Sequence, residues 1–228
     1  MAQPLDLQEQ EQLDALKSFW KTYGNPITWA LVAALAVYAG FNGWRWWQRD
    51  QATKAAAMFG QLEQAAQAGD AQRSGQIFGD LKERYARTAY AEQGGLLAAR
   101  VQFDRGQADA AKASLGWVAE NASEDEYRSV ARLRLAALLL QAADFDGALK
   151  QLDAAKSPQF AALVADRRGD VLLAQGKPAE ARSAYQAAWQ QMDEKVEYRQ
   201  LIDAKLTALG AAPTPVTAAA AKASEAAK

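Results

Sequence analysis

The chain has 228 residues, half of them hydrophobic, no histidine, no cysteine, and 26 basic side chains against 27 acidic ones. That composition excludes disulfides, thiolate nucleophiles, Ser-His-Asp and Cys-His catalytic sets and the usual zinc ligand sets. The balanced charge argues against nucleic acid as a partner, which needs a basic stripe to displace counterions from phosphates.

The first element, Leu5 to Tyr23, is a polar amphipathic helix. Leu13, Leu16, Trp20 and Tyr23 recur at spacings of three and four on one stripe, while Glu9, Glu11, Asp14 and Lys17 face elsewhere. Such a helix either lies on a membrane surface or docks on a membrane partner. Gly24-Asn25 reads as a break, and Pro26 as the start of the next helix, because a first-turn N–H would be unpaired anyway.

The uncharged run 22–44 lies between Lys21 and Arg45, and Ile27 to Trp47 has the length of about 20 residues that crosses a hydrocarbon layer of roughly 30 Å. Five of the seven tryptophans fall between residues 20 and 47. Trp20, Trp29, Trp44, Trp46 and Trp47 with Arg45 put amphipathic rings and a snorkelling cation at headgroup depth, so these six are the candidate membrane-interface residues. Residues 26–47 are therefore expected to form one transmembrane helix. Two other readings compete: a cleaved signal ending after Val37-Tyr38-Ala39, against which the long, mixed-charge leader counts, and an Ala-rich core helix. Lys17 and Lys21 precede the span and Arg45, Arg49 and Lys54 follow it, so the positive-inside count leans by one residue toward a cytoplasmic C-terminal domain.

Gln51 to Ala68 continues the helical pattern, Gly69-Asp70 breaks it, and Ile77, Phe78, Leu81 and Tyr85 mark a helix to about Ala86. From residue 89 the chain repeats itself. Aligning Ala99, Ala136 and Gly169 places Ala111, Ala148 and Ala181 twelve residues on, then Leu115, Leu152 and Tyr185, then Val118, Ala155 and Ala188. Small residues in paired helices let them approach closely, and a large residue four places on fills the groove. The turns Arg105-Gly106-Gln107, Ala143-Asp144-Phe145 (Asp144 as N-cap) and Gln175-Gly176-Lys177-Pro178 punctuate the units. A last helix, about Val196 to Leu209, caps the stack with Tyr198, Leu201, Ile202, Leu206 and Leu209 inward.

These units resemble the tetratricopeptide repeat of about 34 residues, best over Leu163 to Asp193, less well over Val130 to Ala155 and Gln93 to Val118, and at the margin over Ala55 to Leu81 with Leu62, Ser74 and Phe78. The fold class is all-α: an N-terminal arm (1–25), a transmembrane helix (26–47), an α-solenoid of degenerate tetratricopeptide-like hairpins (48–210), and a Pro/Ala-rich tail (211–228) too poor in large apolar residues to fold.

Catalytic chemistry finds no support. Gly94-Gly95 sits inside a helix without the Lys-Ser/Thr of a phosphate loop, and Glu124-Asp125-Glu126 reads as helix-start dressing capped by Ser123. No catalytic, cofactor-binding or metal-binding residue is expected. What remains is binding on the face lined by the first helices of the units. Gln93, Leu96, Arg100, Phe103 and Asp104, then Val130, Leu133, Ala137, Leu140 and Gln141, then Leu163, Asp166, Asp170 and Leu173 are the candidate partner-binding groove, although leucines at such positions are often core.

The arm Asp6 to Asn25, ending Trp20-Lys21-Thr22-Tyr23-Gly24-Asn25, followed by one span and degenerate repeats, resembles the YfgM-like ancillary subunits of the bacterial SecYEG translocon over residues 5–210. The resemblance implies a single-pass inner-membrane protein with a cytoplasmic arm and periplasmic repeats. Its implied partners are the Sec translocon, periplasmic chaperones, secreted or outer-membrane client chains and membrane lipids. The expected role is that of a scaffold linking translocon and chaperones, not an enzyme. The rival is a membrane-anchored regulatory adaptor for a soluble signalling protein; a third reading is a cleaved, secreted binding protein.

Overall fold

The computed structural model describes residues 7–211, with side chains from Glu11 onward, so the expected tail lies outside the described residues apart from Ala211. The chain divides into two units at Gln51 and Ala52, and each is taken by itself.

Helix α1 covers Leu7–Gln67 and enters the second unit at Ala52. The expected break at Gly24-Asn25 and restart at Pro26 do not occur, because Pro26 lies inside the helix. Proline lacks the N–H that would reach the Thr22 carbonyl, and in water that loss breaks helices. The loss is one bond in a helix of 61 residues; on either side the Thr28 hydroxyl donates to the Gly24 carbonyl at 2.7 Å and the Thr22 hydroxyl to that of Ser18 at 3.0 Å, a back-bonding that bends helices without ending them. Within the first unit Leu13, Leu16, Phe19, Trp20, Tyr23 and the large side chains of 27–47 are exposed. Trp44 and Trp47 rings sit 5.2 Å apart, and the Arg45 guanidinium lies 4.6 Å over Phe41.

The second unit stacks helical hairpins. The end of α1 pairs with α2 (Ala71–Arg84), α3 (Ala89–Asp104) with α4 (Ala108–Asn121), α5 (Asp125–Gln141) with α6 (Phe145–Ala154), and, after a 3-10 turn at Pro158–Phe160, α7 (Ala161–Ala174) with α8 (Pro178–Gln191). Helix α9 (Tyr198–Ala208) follows.

The turns inside the four hairpins are built alike. Gly69, Gly106, Ala143 and Gly176 have φ between 58° and 75°. Each donates its N–H three residues back, and the next residue donates five back at 2.8–2.9 Å: Asp70 to Ala65, Gln107 to Gln102, Asp144 to Leu139, Lys177 to Leu172. This double bond satisfies carbonyls that a helix end leaves open, and it requires a left-handed residue, which glycine supplies without steric cost. Asp70 and Asp144 then cap the following helices by accepting from the N–H groups of Arg73 and Gly147.

The aligned positions form the core. Ala111, Ala148 and Ala181 are fully buried, as are Leu115, Leu152 and Tyr185 four places on. A Cβ on Gly169 would stand 2.4 Å from Tyr185 Cε1, and one on Gly95 would stand 2.4 Å from Val118 Cγ2. Glycine at these positions is thus a packing requirement, and Gly95 has its explanation there. The first hairpin obeys the same scheme with Leu62, Ser74 and Phe78 buried.

Three local expectations differ. Ser123 does not cap α5: its N–H donates to the buried carboxylate of Glu92 at 2.7 Å, and Glu124 takes the cap position without a side-chain bond. The capping helix begins at Tyr198, and of its five expected inner residues Ile202 and Leu206 are buried whereas Leu201 is 48% exposed. Helix α2 stops at Arg84.

Candidate partner-binding cleft

The first helices α3 and α5 stand side by side over α4. Ala99, Arg100 and Phe103 of α3, Arg134, Ala137, Leu138 and Gln141 of α5, and Leu115 of α4 enclose a cleft of about 380 Å³. Its walls are apolar and its rim carries two guanidinium groups. Arg100 makes a loose, exposed ion pair with Asp104 at 3.8 Å. Arg134 reaches only the Leu96 carbonyl, at 3.5 Å, and among the described residues no carboxylate pairs with it. Although Arg134 is exposed along part of its length, burial and then the nearby Arg100 charge push its guanidinium below the usual arginine value.

Of the expected groove residues, Arg100, Phe103, Ala137 and Gln141 meet in this cleft. Asp104 lines the neighbouring hollow of about 310 Å³ with Glu63, Leu97 and Arg100. Leu163 borders a third hollow, about 710 Å³, with Pro158, Met192, Val196 and Tyr198. Gln93 is held by a bond from Nε2 to the Tyr127 hydroxyl at 2.8 Å. Leu96, Leu133 and Leu140 are half-buried against core clusters, and Val130 is half-buried too. Leu173 is 42% exposed but borders none of these three hollows.

Asp166 and Asp170 are engaged by α9 and border none of these three hollows. Lys205 of α9 donates to Asp166 at 2.8 and 2.9 Å and to Asp170 at 2.7 Å; Tyr198 donates to Asp166 and Tyr185 to Asp170, each at 2.8 Å. Asp166 is 1% exposed. The reason is α9, which packs where a further repeat would begin and brings a lysine to the two carboxylates. Sequence reasoning missed Arg134 and Leu138: α5 holds three arginines, Arg128, Arg132 and Arg134, and nothing in the sequence sets Arg134 apart from the other two. It also missed Lys205, whose partners lie 35 and 39 residues away. The interface set Trp20, Trp29, Trp44, Arg45, Trp46 and Trp47 is exposed on α1. This helix is the one that, among the described residues, is long and apolar enough to cross a membrane, and its most apolar window is wholly unburied.

The comparisons agree with this architecture. The family model described as a tetratricopeptide repeat-like domain matches residues 17–211. A protein of Neisseria gonorrhoeae named ancillary SecYEG translocon subunit is 33% identical over 205 residues, covering 89% of this chain and 98% of its own. Proteins of the same name are similar in Escherichia coli K12 (30% over 182 residues, 78% of this chain and 86% of theirs) and Haemophilus influenzae (29% over 206 residues, 89% and 98%). With the span candidate, the repeat register and nearly the full length matched, the chain belongs to the ancillary SecYEG translocon subunit family of tetratricopeptide repeat-like proteins.

Proposed function

We propose that this protein is a non-catalytic, single-pass scaffold of the bacterial inner membrane that associates with the Sec translocon and passes secreted or outer-membrane chains to periplasmic chaperones. Its arm (1–25) lies in the cytoplasm, 26–47 crosses the bilayer among lipids, and 48–210 stands in the periplasm. The observation that carries the reading is an unburied apolar helix on a chain whose relatives are named as translocon subunits. Proximity does the work: a span held beside the translocon raises the local concentration of whatever the repeats bind, so weak binding suffices. The α3–α5 cleft, with Arg100, Phe103 and Gln141, is the binding surface this reading uses.

One observation favours the rival adaptor on the cytoplasmic side, the excess of one basic residue after the span. A reporter that is active only in the periplasm, fused at Lys228, separates the two. Activity supports the scaffold; a silent reporter on a stable fusion reverses the orientation and removes the secretion role.

A further inference from the structure

The stack contains the same inter-helix slot twice, filled once. By the repeat alignment Leu96 corresponds to Asp166 and Arg100 to Asp170, since Ala99 corresponds to Gly169. On the neighbouring helix, buried Ala131 and Leu135 of α5 correspond to buried Ile202 and Leu206 of α9, so Arg134 corresponds to Lys205. At the α7–α9 slot the cation is neutralised by two carboxylates of this chain, at 2.7–2.9 Å. In the α3–α5 slot the equivalent cation meets a backbone carbonyl at 3.5 Å and, where the second carboxylate would stand, another arginine. A cleft of about 380 Å³ opens beside it, walled by Phe103, Leu115 and Leu138. Two guanidinium groups facing one apolar cleft repel each other, and a carboxylate placed between them relieves both.

Building on the cleft reading above, we propose that the α3–α5 cleft binds an extended polypeptide segment that sets an acidic side chain between Arg134 and Arg100 and a large apolar side chain against Phe103, Leu115 and Leu138. In an extended chain, residues two apart share a face and lie about 6.5–7 Å from one another. An acidic residue two places from an aromatic one therefore presents both groups to the cleft together, whereas adjacent side chains diverge to opposite faces. Asp104, in a loose ion pair with Arg100 at 3.8 Å, competes with the bound carboxylate for that guanidinium.

The test uses the full-length protein in detergent micelles and fluorescent peptides blocked at both ends, Ser-Glu-Ser-Phe-Ser and its Gln and Lys counterparts. The Glu peptide is expected to bind about tenfold more tightly than the Gln peptide, the size of one charge-assisted hydrogen bond. Arg134→Gln should erase that preference while leaving helicity unchanged; Arg134→Lys should keep part of it. Equal binding of Glu and Gln peptides, or a preference that survives Arg134→Gln, overturns the proposal. The two readings fail separately. If all peptides bind alike and Phe103→Ala weakens them all, the cleft still receives chains and only the acidic preference is lost. If no peptide binds, or peptides bind and Phe103→Ala changes nothing, the cleft itself is refuted.

Discussion

Replacing Gly169 with alanine tests the packing rule on which the repeat register rests. The added Cβ would stand 2.4, 2.5 and 2.8 Å from three ring carbons of Tyr185. Carbon pairs prefer about 3.5–4.0 Å, so the ring must retreat by roughly 1 Å. Retreat is blocked, because Tyr185 is 1% exposed and its hydroxyl is held by Asp170 at 2.8 Å. Overpacking of this kind costs about 1–3 kcal/mol, and weakening a hydrogen bond to a charged acceptor adds about 1. Better helix propensity returns about 1 kcal/mol, for a net loss of about 2 kcal/mol. Urea unfolding of the full chain in micelles, followed by circular dichroism, reads the change. The second arm is the double variant Gly169→Ala with Tyr185→Leu, which recreates the alanine–leucine pairs found at Ala99 with Leu115 and Ala136 with Leu152. It should be more stable than the sum of the single changes by at least about 1 kcal/mol, as residues in contact couple. A neutral Gly169→Ala, or strict additivity, would refute the reasoning.

Other substitutions follow from the same geometry. Ala143 alone among the four hairpin turns pays for a left-handed conformation, at φ 58°, so Ala143→Gly should raise stability by about 0.5–1 kcal/mol in the same unfolding assay. Lys205→Met leaves Asp166, 1% exposed, with only the Tyr198 hydroxyl, and should cost about 3–5 kcal/mol, read as a lower urea midpoint. Burial first, then the hydrogen bond to Asp166, raises the Tyr198 hydroxyl from its ordinary 10 to about 12. A raised acid means that the folded state holds a proton the unfolded state has already lost, so stability is intact below pH 10 and declines from pH 10 to 12. Tyr185 is shifted in the same direction. Tyr198→Phe should make that alkaline decline shallower, and an unchanged slope would show that Tyr198 does not contribute.

The repeat register was legible because it rests on local rules. Small residues twelve apart, large ones four further on, and glycine at helix ends read the same whatever surrounds them, and Ala99, Ala111 and Leu115 are buried as those rules require. Asp144 marks the turn at Ala143-Asp144-Phe145, but nothing in the sequence marks Ala143 as left-handed; that backbone is imposed by its place in the third hairpin. The helix through Pro26 departs from the local proline rule because one missing N–H is a small loss in a helix of 61 residues. Ser123 reads as a cap from its neighbours alone, because the acceptor that fixes its N–H, Glu92, lies 31 residues away and Glu124 takes the cap position. Asp166 and Asp170 were read as groove because the repeat alignment ends before α9, and their meaning comes from Lys205. Arg134 escaped for the mirror reason: it matters through what the facing helix lacks.

The central claim is that α1 holds these repeats beside the translocon. The most direct measurement is photo-crosslinking in living cells from a photoreactive residue placed at Trp20 or Trp29, with membrane fractionation of the adducts. The account predicts full-length protein in the membrane fraction with adducts to translocon subunits from at least one of these positions. Full-length, membrane-embedded protein that gives lipid adducts but no translocon adduct from either position would contradict it.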